Sequence, residues 1–152
     1  MRIEHLQVNH MEKPLGYHFP YLTLSWKVLD AKAAYSSQTR LLISLQENME
    51  NPVFDSGVKE EFHFCQMQVE MKLKPRTRYY WKVNVSTGLG EEAESEVSWF
   101  ETGKMEEEWL ADWISAKEDK TRMPVFYKEF TLENPVKKAR LYIEARGEIR
   151  DN

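Results

Sequence analysis

Carboxylates are the residues of this sequence that could do chemistry by number. Two of them placed roughly 5 to 10 Å apart across a sugar can hydrolyse a glycosidic bond. Asp55, Glu60, Glu61, Glu91, Glu92, Glu106, Glu107, Glu108 and Asp112 are the candidates. All fall in stretches that read as turns or linkers, so solvated surface is the reading to prefer. His5, His10, His18 and His63 are scattered, without the spacing of a metal site. There is no glycine-rich phosphate loop and no Ser-His-Asp order that a sequence can support. No catalytic, cofactor-binding or metal-binding residue is assigned. The aromatic residues are more open, because sugars stack their C–H faces on exposed rings. Trp109 and Trp113 stand four residues apart and share a face if that piece is one helical turn. They read as a plug in a seam between domains rather than a sugar platform. Tyr80 is a third candidate, read as packing on a neighbouring strand or the linker.

These residues need a scaffold, and the stretch that organises it is Leu73 to Val85. Pro75 fixes its own φ and pushes Lys74 into an extended conformation. Beyond it Tyr79, Trp81, Val83 and Val85 point one way, and Tyr80, Lys82, Asn84 and Ser86 the other. That is the period of a half-buried strand, and rings this large place it centrally in a β-sandwich. The spacing Leu-x-Pro-x-Thr-x-Tyr resembles the corner of fibronectin type III domains, where a tyrosine hydroxyl bonds back to the chain upstream. Tyr79 fills that place.

Other strands are read at 2–8, 21–28, 38–47, around 53–57, within 62–73 and around 97–102. Leu22, Leu24, Trp26 and Val28 share a face, and Trp26 is the expected core tryptophan. Leu41, Ile43 and Leu45 line one face of the 38–47 strand. Cys65, Met67, Val69 and Met71 line another. Asn9 to Pro20 reads as a loop, and Thr87-Gly88-Leu89-Gly90 as a hairpin turn. Seven strands with turn signals between them and no helix-period segment give an all-β sandwich. After Gly103 come a charged linker, the Trp-rich segment, and two alternating runs at 124–132 and 137–145. A lone hairpin is marginal in water, so these runs read as the opening of a second β domain, cut short.

The chain has 152 residues and a formal charge of -4. That length holds one sandwich of about 100 residues and a remainder, or one larger domain. Basic residues are dispersed among acidic ones, which argues against nucleic acid. No apolar run approaches the length of a membrane span, and the start lacks a signal-peptide core. Cys65 is the single cysteine. It cannot form an internal disulfide, it reads as a small core hydrophobe, and a cytoplasmic location fits.

In order, Leu24-Ser25-Trp26, Val53-Phe54-Asp55-Ser56-Gly57, Leu73 to Val83, Phe100-Glu101-Thr102-Gly103, Trp109-Leu110-Ala111-Asp112-Trp113-Ile114, Tyr127-Lys128-Glu129-Phe130 and Ala139 to Ile143 resemble the N-terminal region of bacterial α-L-rhamnosidases. These are inverting glycoside hydrolases that release terminal rhamnose. The resemblance covers about residues 20 to 147. It implies a fibronectin type III or immunoglobulin-like sandwich over 1–104, a linker over 105–123, and an incomplete second β domain over 124–152. It places the family's catalytic acids in a barrel far downstream, with no counterpart here. The expected role is a non-catalytic module bracing downstream domains of the same polypeptide, and this fragment alone is expected to be inert. A carbohydrate-binding module for rhamnosylated glycans and a generic interaction module are the alternatives. No cofactor is expected. The hairpin at 124–145 exposes an edge and an apolar face that its missing partners would cover, so it is expected to dock on the first domain, pair with a second copy or be disordered.

Overall fold

A computed structural model describes residues 1–34, 36–60, 65–115, 125–137 and 139–144. It divides into two compact units, Met1–Glu107 and Glu108–Asn152.

The first unit is a two-layer β-sandwich, as the alternation predicts. One layer orders β1 (Arg2–Val8), β3 (Leu22–Leu29) and β7 (Gln66–Val69) as β1-β3-β7, all antiparallel. The other is built on β8 (Arg78–Thr87), which lies between β4 (Ser36–Ser44) and the strands that follow it. Eight register pairs, from Ser36 opposite Thr87 to Ser44 opposite Tyr80, zip β4 to β8. The far edge of β4 carries β5 (Phe54–Asp55) and β6 (Lys59–Glu60). The far edge of β8 carries β9 (Glu92–Glu94) and β10 (Ser98–Thr102).

The core is what the two periods of alternation put there. Ile3, Val8, Leu22, Leu24, Trp26 and Val69 face inward from one layer. Leu41, Ile43, Tyr79, Trp81, Val83, Val85 and Phe100 meet them from the other. Tyr79 and Phe100 oppose each other across β8 and β10, and their rings stack at 5.1 Å. Phe19 closes on Phe100 edge-on at 5.5 Å. Burying side chains of this size stabilises the fold by about 1.5–3 kcal/mol each.

Single polar side chains carry the ladder across its irregularities. The edge opposite β8 breaks between β9 and β10. There the Ser95 N–H donates to the Val83 carbonyl at 2.9 Å, and the Val83 N–H donates to the Ser95 hydroxyl at 3.0 Å. A buried N–H left unmatched would cost about 1–3 kcal/mol, so this serine does the work of a missing backbone carbonyl.

Several expectations need correction. The loop from Asn9 to Pro20 contains β2 (Leu15–Tyr17), which pairs in parallel with β10. The chain reaches it through a tight turn in which Asn9 and His10 both hold positive φ, 46° and 66°. Val8 and Met11 exchange both backbone hydrogen bonds around that turn. Asn9 fixes it by accepting from the Thr23 N–H and donating to the Tyr21 carbonyl. Asparagine tolerates this left-handed conformation better than most residues; the pair lacks the glycine that marks such turns in a sequence. Cys65 is exposed, not a core hydrophobe, because β7 begins one residue later. Leu45 is also exposed, since β4 ends at Ser44. In β10, whose facing the sequence left open, Phe100 points inward and Trp99 sits on the outer face.

In the second unit, the described residues of the expected 124–132 and 137–145 strands, 125–132, 137 and 139–144, carry no strand. The rest of those runs lies outside the described residues. Alternation gives these segments an apolar side, but Val125, Tyr127, Leu141 and Ile143 stay exposed. Two strands alone gain too little burial to hold a pairing.

The tyrosine corner forms as the sequence predicts. The Lys74 N–H donates to the Tyr79 hydroxyl at 2.8 Å. Tyr79→Phe keeps the ring stack and removes only that acceptor. It is expected to cost about 1–2 kcal/mol, read as a Tm loss of several degrees in thermal denaturation. Tyr80→Phe, on the opposite face, should leave Tm nearly unchanged.

Candidate functional site: the exit corner and the outer sheet face

The chain leaves the sandwich at the end of β10, beside the turn that opens β8. Thr77 first shapes that turn by donating its hydroxyl to the Pro75 carbonyl at 2.7 Å. Arg76 is held at a φ of 51°. Thr102 then joins turn to exit. Its hydroxyl donates to the Lys74 carbonyl at 2.7 Å and accepts from the Thr77 N–H at 2.9 Å, while its own N–H donates to the Thr77 carbonyl at 3.0 Å. The Arg76 N–H adds a bond to the Gly103 carbonyl at 2.8 Å.

The N-terminal segment grips the same exit from the other side. The Glu101 N–H donates to the Pro14 carbonyl at 2.9 Å, and the Gly103 N–H to the Tyr17 carbonyl at 2.7 Å. This approach is close enough that a Cβ on Gly103 would lie 2.4 Å from the Gly16 backbone oxygen. Only glycine fits there. Beyond it Met105 packs against the core, Arg76 pairs with Glu107 at 2.7 Å, and His18 stands 3.5 Å from Glu106. The two ion contacts are exposed and contribute little; the backbone bonds carry the joint.

The outer face of the larger layer holds the rest of the polar chemistry. Glu101 is only 1% exposed, and Arg78 opposite donates Nε to its carboxylate at 3.0 Å. The Arg78 guanidinium also lies over the Trp99 ring, 4.1 Å from its centre. Tyr80 is half-buried, between Ser44 and Trp99 on the neighbouring strands. Further along the face, Asp55 accepts two bonds from Arg40, at 2.9 and 2.6 Å. Glu94 accepts from Lys82 and Asn84, each at 2.8 Å.

The electrostatics run against general-acid work. Asp55 is held below its ordinary pKa by the Arg40 guanidinium, and Glu94 below its own by Lys82 and then Asn84. Desolvation pushes Glu91 up, but the N–H groups of Ala33 and Lys32 outweigh it and the net shift is down. A catalytic carboxylic acid needs the opposite shift. Among the described residues, no three His, Cys, Asp or Glu side chains group to hold a metal ion.

Of the aromatic candidates, Tyr80 belongs to the first unit, and Trp109 and Trp113 to the second, half-exposed or more. Residues 107–115 hold no helical turn, so the spacing of four does not put the two tryptophans on one helix face. The sequence reading did not single out Trp99, Arg78, Glu101 or Arg40. Arg78 and Glu101 could have been found as opposite charges on paired strands, but their register is set across residues 88–97, which carry β9 between the two strands. Gly103→Ala is expected to destabilise the first unit by about 2 kcal/mol or more through the backbone clash. Gly88→Ala, with open space around it, should be nearly neutral. Chemical denaturation of the two variants side by side checks this.

With this geometry in hand, comparison with known proteins is consistent throughout. Residues 3–106 match the family described as Rha78A-like, N-terminal immunoglobulin domain. An α-L-rhamnosidase from Streptomyces avermitilis is 35% identical over 132 residues, which is 82% of this chain and 13% of that protein. The crystal structure of the Streptomyces avermitilis α-L-rhamnosidase complexed with L-rhamnose superposes with a TM-score of 0.69 at 32% identity, over 76% of this chain and 12% of that one. The α-L-rhamnosidase structure from Dictyoglumus thermophilum gives 0.68 at 28% identity, over 76% and 14%. The chain thus spans a small part of the length of these relatives. The immunoglobulin description fits the expected sandwich class and supports the fibronectin type III label only loosely. The chain belongs to the Rha78A-like N-terminal immunoglobulin domain family.

Proposed function

We propose that this chain is a non-catalytic module of an α-L-rhamnosidase-like glycoside hydrolase, and that it braces the domains that follow it in the same polypeptide. The observation that carries this reading is the built exit. Backbone bonds from Pro14, Tyr17, Thr77 and Arg76 converge on residues 101–103. A module that only had to be tethered would need no such joint. Asp55, Glu91, Glu94 and Glu101 on the sandwich are engaged with cations or N–H groups, which supports a chain without an acid and base of its own. The aromatic segment from Trp109 to Ile114 is the candidate contact with downstream domains. The exposed thiol of Cys65 fits a reducing compartment, and the cytoplasm is the location that goes with this reading.

The test uses the Streptomyces avermitilis relative. Deleting the stretch that matches residues 3–106 should lower its thermal stability and leave kcat/KM on an aryl α-L-rhamnoside close to that of the intact enzyme. The present chain alone should not turn that substrate over. Unchanged stability in the deletion, or turnover by the isolated chain, would contradict the reading.

A further inference from the structure

The smaller layer ends at β7, whose far side pairs with no described strand. The Trp26 N–H donates to the Cys65 carbonyl at 2.9 Å, in step with the register that sets Leu24 opposite Met67 and Leu22 opposite Val69. Backbone groups alternate in direction along an antiparallel strand. Cys65, Met67 and Val69 therefore turn theirs toward β3, and Gln66 and Gln68 turn theirs out to the free edge. Other edges of the sandwich carry guards. β1 breaks register between Glu4 and Gln7, with His5 at a φ of 53°. β2 contains Gly16 at a φ of 79°. β5 and β6 are two residues each and bear charge. β7 has no charge, proline or bulge, the devices that keep an edge from pairing.

The sequence of β7 also fits itself. Gln66-Met67-Gln68 reads the same in both directions. An antiparallel copy centred on Met67 sets Gln66 opposite the second copy's Gln68, and Gln68 opposite the second copy's Gln66. These are the residues whose backbone groups face out, so each pair exchanges its N–H and carbonyl bonds. The glutamine side chains meet on the outer side, and no like charges face each other. On the inner side Met67 meets the second copy's Met67, and Cys65 meets the second copy's Val69. Met67 also lines, with Phe54 and Val58, an open groove of about 610 Å³ beside β7. Phe54 and Met67 are only partly buried there, and Val58 is exposed. The second methionine covers apolar surface that one copy leaves open.

We propose that β7 is a self-association edge, on which two copies of this chain pair antiparallel about Met67 and join their three-stranded layers into one sheet. The pairing does not rest on the bracing role, since β7 lies in the layer that the exit strand β10 does not join. Interfaces that bury less than about 1,200 Å² are weak and transient, and an edge this short makes a dimer that depends on concentration.

The experiment follows amide chemical shifts of the full chain by two-dimensional NMR, with sedimentation equilibrium alongside, from about 20 μM to about 1 mM, the range in which a weak interface fills. Saturable shifts centred on Gln66, Met67 and Gln68 are expected, with a monomer–dimer equilibrium in the centrifuge. Gln68→Pro removes an outward N–H, keeps the bonds to β3, and should abolish dimerisation; proline is tolerated at such an edge position. A chain carrying Q66K and Q68K should be monomeric alone, and so should one carrying Q66E and Q68E. Mixed, they should form a dimer, because each lysine then faces a glutamate. A chain that stays monomeric at about 1 mM, or shifts centred on residues 109–143, would overturn the proposal. So would a folded Gln68→Pro chain that still dimerises, or a mixture of the charged chains that associates no more than its components.

Discussion

The hydroxyl of Thr102 is the point on which the rest of this fold depends. It donates to Lys74 and accepts from Thr77, so one oxygen joins the turn that starts the central strand to the strand that ends the sandwich. Tyr79 ties the same turn from inside the core through Lys74. The turn itself contains Pro75, which has no N–H to give, and Arg76 at positive φ. Such a turn cannot close a regular ladder, and side-chain oxygens close it instead. The stacked rings of Tyr79 and Phe100 then align two strands whose next residues must form the exit.

The N-terminal segment supplies the other half. It begins in one layer as β1, turns at Asn9 and His10, and enters the other layer as β2. A strand that changes layers ties the two layers covalently. β2 also covers the outer edge of β10 and leaves no room for a side chain at Gly103. The motif Phe100-Glu101-Thr102-Gly103 is therefore four separate physical solutions in a row: a core ring, a buried acid paired to Arg78, a hydroxyl bridge and a close backbone approach.

Much of this was legible in the sequence where one side of a strand is buried. β8 alternates for ten residues without a break, and its inward Tyr79, Trp81, Val83 and Val85 are apolar. β3 and β4 show the same pattern over their buried parts. What escaped was set by partners distant in the chain. β2 is three exposed residues, too short to show an alternation. Glu101 reads as a surface charge until Arg78 is seen opposite it. Cys65 follows the alternation of β7 but lies just outside the strand. The bonds of Arg40 to Asp55 and of Lys82 and Asn84 to Glu94 need the registers of several strands, which no local pattern encodes. The described residues of the 124–145 region show the converse, since alternation there marks strand propensity but Val125, Tyr127, Leu141 and Ile143 gain no burial.

The central claim is that residues 101–103 and the 74–78 turn are part of the cooperative sandwich and not the start of a hinge. Native-state amide hydrogen exchange tests it directly, because the amides of Arg76, Glu101 and Gly103 donate to the joint's own carbonyls. These three amides are expected to exchange as slowly as the amide of Val83 in the core of β8. Exchange as fast as that of Leu89 in the exposed turn, with β8 still protected, would contradict it.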